Sequence, residues 1–230
     1  MTGIELISAA GFTAAGLFVG ASINTATRRL QGGQSGMSPG GQDDRLPIGR
    51  DTVLASLAGG LIALAAVARQ AGSPLEMTFT ALFGWLLLAL SIVDFRTFIL
   101  PDRLNLAVLL LGAVMVALYA PERWPWHLAG AAAGYGILWI VEVGYRTIRR
   151  QDGLGRGDAK LLGAIGMWVG VLGIPQVLMI ASLSGILAAL VSSWRRKEPL
   201  SGHSAIAFGP WIALGGYCVW LFPALLIPVL

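Results

Sequence analysis

Apolar residues run along this chain in long blocks, and polar residues gather in the gaps between them. The blocks fall at about 4–24, 52–69, 77–93, 104–120, 127–145, 161–173, 175–194 and 205–229. Most approach the ~20 residues that a helix needs to cross about 30 Å of hydrocarbon at 1.5 Å per residue. The pattern predicts an all-α fold, a polytopic membrane helical bundle of about eight transmembrane helices, with the sixth block the shortest. Only one gap is long. The stretch 31-QGGQSGMSPGGQDDRLPIGRD-51 is rich in Gly, Ser and Gln and buries too little apolar surface to fold alone. The other gaps are short and carry breakers such as Gly72-Ser73-Pro74 and Ala120-Pro121. Three regions follow: a first transmembrane helix with its basic flank at 1–30, a flexible cytoplasmic linker at 31–51, and a membrane-embedded core at 52–230. No internal repeat is visible, so an inverted-repeat transporter gains no support.

Composition agrees with the blocks. Hydrophobic residues make up 56% of the 230 and charged residues 12%, with a mean hydropathy of +0.73. A soluble domain carries about 25% charged residues. The net charge of +4 reports topology rather than a nucleic-acid partner. Arg28, Arg29, Arg45 and Arg50 follow the first block, Arg96 and Arg103 the third, Arg146, Arg149, Arg150, Arg156 and Lys160 the fifth, and Arg195, Arg196 and Lys197 the seventh. Fourteen of the sixteen cations thus lie in alternate gaps, leaving Arg69 and Arg123 on the other side. By the positive-inside rule those gaps are cytoplasmic and both termini are outside. The first block has no basic run ahead of it, which reads as a retained anchor rather than a cleaved signal peptide.

Few residues offer metal or thiol chemistry. Cys218 is the single cysteine and lies inside the last block, as a small core residue would. His127, in 124-WPWH-127, fits an interfacial aromatic belt, and His203 has no second ligand beside it. No metal site and no cofactor are expected.

Acidic groups at the edge of hydrocarbon need a reason, because one at a helix centre costs about 2.5–3.5 kcal/mol by insertion scales. Asp94 closes the third block in 86-LLLALSIVDFRTFILPD-102, and Asp158 opens the sixth in 152-DGLGRGDAKLLGAIGMWVG-170. Two complete blocks separate them, so both belong to one side of the membrane at similar depth. Two carboxylates that approach in such surroundings share a proton, one ionised and one acid. That is the state in which a pair can take a proton from water and polarise a peptide carbonyl. Gly155 and Gly157 lack a Cβ and would let an extended peptide approach Asp158. An ordinary helix start with Asp158 as N-cap explains GRGD alone equally well, and the second aspartate tips the balance towards a site. Pro101 ends the preceding segment and Asp102 is placed to cap the fourth helix. Glu142 is placed to pair with Arg146 at i+4, and Lys160 to steady its loop or meet headgroups.

The combination 94-DFRTFILPD-102 with 155-GRGDAKL-161 resembles the type IV prepilin peptidase family, membrane aspartic proteases of the GxGD kind, whose pattern is an aspartate, six residues, Pro-Asp and a later GxGDxK. The segments 16-GLFVGASINTATRRL-30 and 206-IAFGPWIALGG-216 are similar to that family's first span and to its Pro-Phe-Gly-Pro stretch. The resemblance implies a peptidase of the bacterial inner membrane with Asp94 and Asp158 catalytic, acting on prepilin-like membrane proteins whose leader ends in glycine. It also marks Gly155, Gly157, Lys160, Pro101 and Asp102 as residues that shape the site and its loops. One departure stands out. Members that also N-methylate the product carry paired CxxC zinc motifs after the first span, and residues 31–51 contain no cysteine, which argues against methyltransferase activity. A proton-coupled carrier using the same carboxylate pair is the alternative reading, and a non-catalytic assembly subunit a third.

The cation distribution generates a direct test. Single cysteines introduced beside Asp94, Asp158 and Arg195 in a Cys218→Ala background should resist an impermeant thiol reagent added outside, and cysteines at 121–126 should react. Strong external labelling at position 152 would contradict this topology.

Overall fold

The structure, a computed structural model, describes residues 13–22, 25, 50–69, 74–149, 155–196 and 207–222. They form seven helices and no strand: α1 (Thr13–Ser22), α2 (Arg50–Arg69), α3 (Pro74–Thr97), α4 (Asp102–Tyr119), α5 (Trp124–Arg149), α6 (Arg156–Arg196) and α7 (Gly209–Leu221), with a 3-10 turn at Pro121–Arg123. The protein is an all-α membrane protein. Among the described residues α3 to α6 are long and apolar enough to cross a membrane. Their outer faces suit lipid. On α4 the exposed residues Leu106, Leu110, Val114 and Leu118 recur every fourth position, while Asn105, Val108, Gly112, Met115 and Val116 turn inwards. Of the linker expected at 31–51, only Arg50 and Asp51 are described, and they open α2. His203 lies outside the described residues.

The chain divides into two compact units, Met1–Ile92 and Val93–Leu230. In the first, α1 and α2 meet through glycines. A Cβ on Gly16 would strike the backbone of Gly59, and one on Gly20 the backbone of Ala55. Small residues spaced by four let helices approach to backbone contact, which supplies packing where lipid removes the hydrophobic drive. The Trp85 indole N–H donates to the Gly59 carbonyl at 3.1 Å and ties α3 to the same seam.

The second unit contains the last turn of α3 and helices α4 to α7. Its centre is Trp168, 1% exposed. The Trp168 indole N–H donates to the Val108 carbonyl at 2.9 Å, and its ring fills the space left by Gly112 and meets Trp220 edge-on at 5.2 Å. One residue thereby joins α4, α6 and α7.

The helix α6 is two limbs rather than one rod. Gly170 takes φ 71° and ψ 176°, a conformation open to glycine almost alone. The chain turns back there. A side chain on Gly134 would meet both the Leu162 carbonyl and the Ile174 side chain, which would be about 18 Å apart in an unbroken helix. Gly216 abuts Ile165 while Gly215 abuts the Val177 backbone, and Gly185 abuts Trp211. Limb 156–169 therefore runs parallel to α7 and limb 171–196 antiparallel to it. The two blocks expected at 161–173 and 175–194 correspond to these two limbs, with the boundary about four residues earlier. Pro175, the obvious breaker, stays inside the second limb, and the break falls at the glycine that can adopt the required dihedrals. The freed Met167 carbonyl at the bend is bonded by His127 Nδ1 at 2.9 Å, a tie that the belt reading of His127 did not foresee.

Replacing Gly170 with alanine should lower stability by about 1–3 kcal/mol, the usual cost of a non-glycine residue in such a conformation. Gly136→Ala, with nothing within 4 Å of the new Cβ, should be neutral or mildly stabilising. Thermal unfolding in detergent compares the two, and equal midpoints would contradict the bend.

Candidate active site

Asp94 reaches the site because α3 ends directly after it. Phe98 takes a positive φ of 53°, and its N–H donates to the Asp94 carbonyl at 2.9 Å. This is the left-handed helix stop that glycine normally provides, and a bulky residue there is strained. The Ile99 N–H donates to Thr97 Oγ1 at 3.3 Å and fixes the next step of the turn. Pro101 then occupies the cap position of α4 with φ −64° and ψ 126°.

Both aspartates line one cavity of about 250 Å³, together with Phe98, Ile99, Leu100, Asp102, Gly155, Arg156, Gly157 and Lys160. Asp94 is 5% exposed and Asp158 8%. A buried carboxylate requires donors. Asp94 Oδ2 accepts the backbone N–H of Gly209, at the first turn of α7, at 3.1 Å. A Cβ on Gly209 would stand 2.7 Å from that oxygen, so glycine is what permits this contact. Asp158 is the third residue of α6, and its N–H closes a turn onto the Gly155 carbonyl at 3.0 Å. It is not the N-cap that an ordinary helix start would have made it.

The remaining sequence candidates fall around this pair. Gly157 faces Leu100, whose Cβ would lie 2.9 Å from an added Cβ, whereas Gly155 is open, with only Asp158 Oδ2 at 3.5 Å and the Gly157 nitrogen at 4.0 Å. Asp102 does not cap α4. Pro101 holds the cap position without a side-chain bond, and Asp102, one residue later, bonds Lys160 Nζ at 2.6 Å. Both side chains are substantially exposed, at 72% and 42%, so their ion pair contributes about 0–1 kcal/mol. Glu142 does pair with Arg146, and it also accepts Arg156 Nε at 3.1 Å. Sequence reasoning missed Gly209, Leu100 and the Glu142–Arg156 pair. The Phe-Gly-Pro run at 208–210 was the visible signal for the first. Among the described residues no cluster of His, Cys, Asp or Glu is arranged to hold a metal.

Comparison with known proteins assigns this region. Residues 81–190 match the Type IV leader peptidase family. Relatives include the prepilin leader peptidase/N-methyltransferase of Escherichia coli (strain K12), 44% identical over 145 residues, which are 61% of this chain and 63% of that protein. The protein of the same description from Pectobacterium carotovorum subsp. carotovorum is 35% identical over 165 residues, 72% of this chain and 56% of its own. That from Burkholderia pseudomallei (strain 1026b) is 36% identical over 180 residues, 77% and 57%. The chain thus spans between about half and two thirds of the length of these relatives. No solved structure matches.

The glycine contacts make a graded prediction. Gly157→Ala and Gly209→Ala should each destabilise by about 1–3 kcal/mol through overpacking against Leu100 or Asp94. Gly155→Ala should stay within about 0.5 kcal/mol of wild type. Thermal unfolding of the three variants in detergent measures the order, and a large loss at Gly155 alone would refute it.

Proposed function

We propose that this protein is an endopeptidase of the bacterial inner membrane that removes the leader from prepilin-like proteins, using Asp94 and Asp158 as its catalytic pair on the cytoplasmic side. The observation that carries the proposal is that two buried carboxylates from separate sequence motifs line a single cavity. The Type IV leader peptidase match over 81–190 covers both, and the relatives are named prepilin leader peptidases.

The chemistry follows from sharing one proton. The ionised carboxylate takes a proton from a water molecule, and the oxygen of that water forms a bond to the scissile carbonyl carbon. The acid form gives its proton to the carbonyl oxygen as the double bond opens. Collapse of the tetrahedral adduct breaks the C–N bond: the leaving nitrogen takes a proton from the group that had accepted one, and a hydroxyl of the adduct returns its proton to the other carboxylate as the C=O re-forms. Both groups return to their starting state, and no metal or cofactor takes part. The Gly209 N–H bonded to Asp94 holds one oxygen of the pair still while the other works. The open face of Gly155 beside Asp158 is where an unwound peptide would lie, with the substrate's apolar helix against the exposed apolar surface of the bundle.

The relatives are also named N-methyltransferases. We assign only the peptidase half to this chain, because its single cysteine, Cys218, cannot supply a zinc site of paired CxxC motifs. None of the relatives named above is a carrier or an assembly subunit by its name.

Co-expression with a prepilin, at equal membrane levels of each variant, tests the assignment. Asp94→Asn, Asp158→Asn and the double variant should all fall to one background rate, since groups sharing one chemical step are strongly non-additive. Asp102→Asn, which loses only an exposed ion pair, should cleave within a few-fold of wild type. Mass spectrometry of the product should find an unmethylated N-terminus. An active Asp94→Asn beside a dead Asp102→Asn would move the first catalytic role to Asp102.

A further inference from the structure

Glu142 has a side chain only 2% exposed, yet it stands outside the cavity that holds the two aspartates. One of its oxygens, Oε1, accepts both Arg146 Nη2 and Arg156 Nε. The other, Oε2, is buried and has no partner. A carboxylate this buried is retained at a cost unless its charge is compensated. Arg146, one turn along α5, answers the local need as an ordinary i+4 neighbour. The bond to Arg156 does something else: it crosses from α5 to the first residue of α6.

Arg156 is flanked by Gly155 and Gly157. In that triplet it alone has a side chain through which the backbone can be restrained, and the two glycines leave the chain its greatest freedom. Asp158 follows two residues later, with its N–H bonded back to the Gly155 carbonyl at 3.0 Å. Arg156 is among the residues that line the cavity. Its tie to Glu142 therefore fixes the turn that carries Asp158, and it keeps a cation two residues from the pair directed at α5.

We propose that Glu142 is a positioning residue for the peptidase site, acting through Arg156 to hold the 155–158 turn. The assignment rests on the peptidase reading given above. Lys160, bonded to Asp102 on α4, holds the other side of Asp158 at i+2, so the aspartate lies between two cations that are each bonded to a different helix. Of the two ties, only Glu142–Arg156 has a buried partner.

The experiment uses full-length protein in detergent with a purified prepilin, and compares Glu142→Gln, Arg156→Gln and the double variant. If Glu142 acts through Arg156, each single change lowers kcat about tenfold with KM within about twofold, and the double variant is no worse than either single one. Amide exchange over residues 155–158 should speed up in both single variants. Losses that multiply to about a hundredfold in the double variant would mean independent roles and would overturn the proposal. Wild-type kcat and exchange in Glu142→Gln would also overturn it. If Glu142→Gln fails to fold, Arg156→Gln, in which Glu142 keeps Arg146, must still show the kcat loss and the faster exchange, and their absence is a refutation. A wild-type protein that does not cleave the prepilin at all overturns the peptidase reading, and the positioning role falls with it.

Discussion

Three carboxylates lie buried in the second unit beside its apolar core. An ionised carboxylate cannot stay there without donors, which reach Asp94 and Glu142 from a second helix and Asp158 from the start of its own. Asp94 on α3 takes a backbone N–H from α7. Asp158 sits in the first turn of α6, where free N–H groups and the helix dipole favour negative charge. Glu142 on α5 takes two arginines, one from its own helix and one from the start of α6. These polar ties give the bundle a directional order that apolar packing does not, because hydrophobic contact is indifferent to orientation.

The helices and the two aspartates could be read directly from the sequence. A long apolar block signals its own helix, and a carboxylate inside such a block is conspicuous because it is expensive. Partners were harder. Gly209 is 115 residues from Asp94, and nothing local in Phe-Gly-Pro says that its amide faces a carboxylate. Asp102 was misread as a cap because a proline followed by an aspartate fits a cap by composition. The real cap position falls one residue earlier, and the side chain is drawn away by a lysine 58 residues on. Glu142 was correctly joined to Arg146, a pairing that helical periodicity enforces, but periodicity is silent about Arg156 across a change of helix. The gap between the blocks 161–173 and 175–194 lies a few residues past the bend at Gly170, because apolar residues continue through a reversal that a glycine dihedral makes.

The matched region ends at residue 190, short of α7. Yet α7 provides the amide that binds Asp94, the Trp220 ring against Trp168, and the glycines that let limbs 156–169 and 171–196 pack beside it. The part of the chain most easily recognised holds both carboxylates, and the part beyond it completes the environment of one of them.

The bend at Gly170 also fixes a length. Limb 156–169 has 14 residues and so extends about 21 Å, some 9 Å less than a typical hydrocarbon core. Its two ends cannot both reach headgroup level, and any tilt widens the shortfall. Either the bilayer pinches inwards around this limb, or one end lies below the surface. At one end is Asp158, at the other a reversal whose loose carbonyl is already bonded by His127. The short limb is thus a vertical ruler, setting how far apart in depth the acid and the reversal can lie.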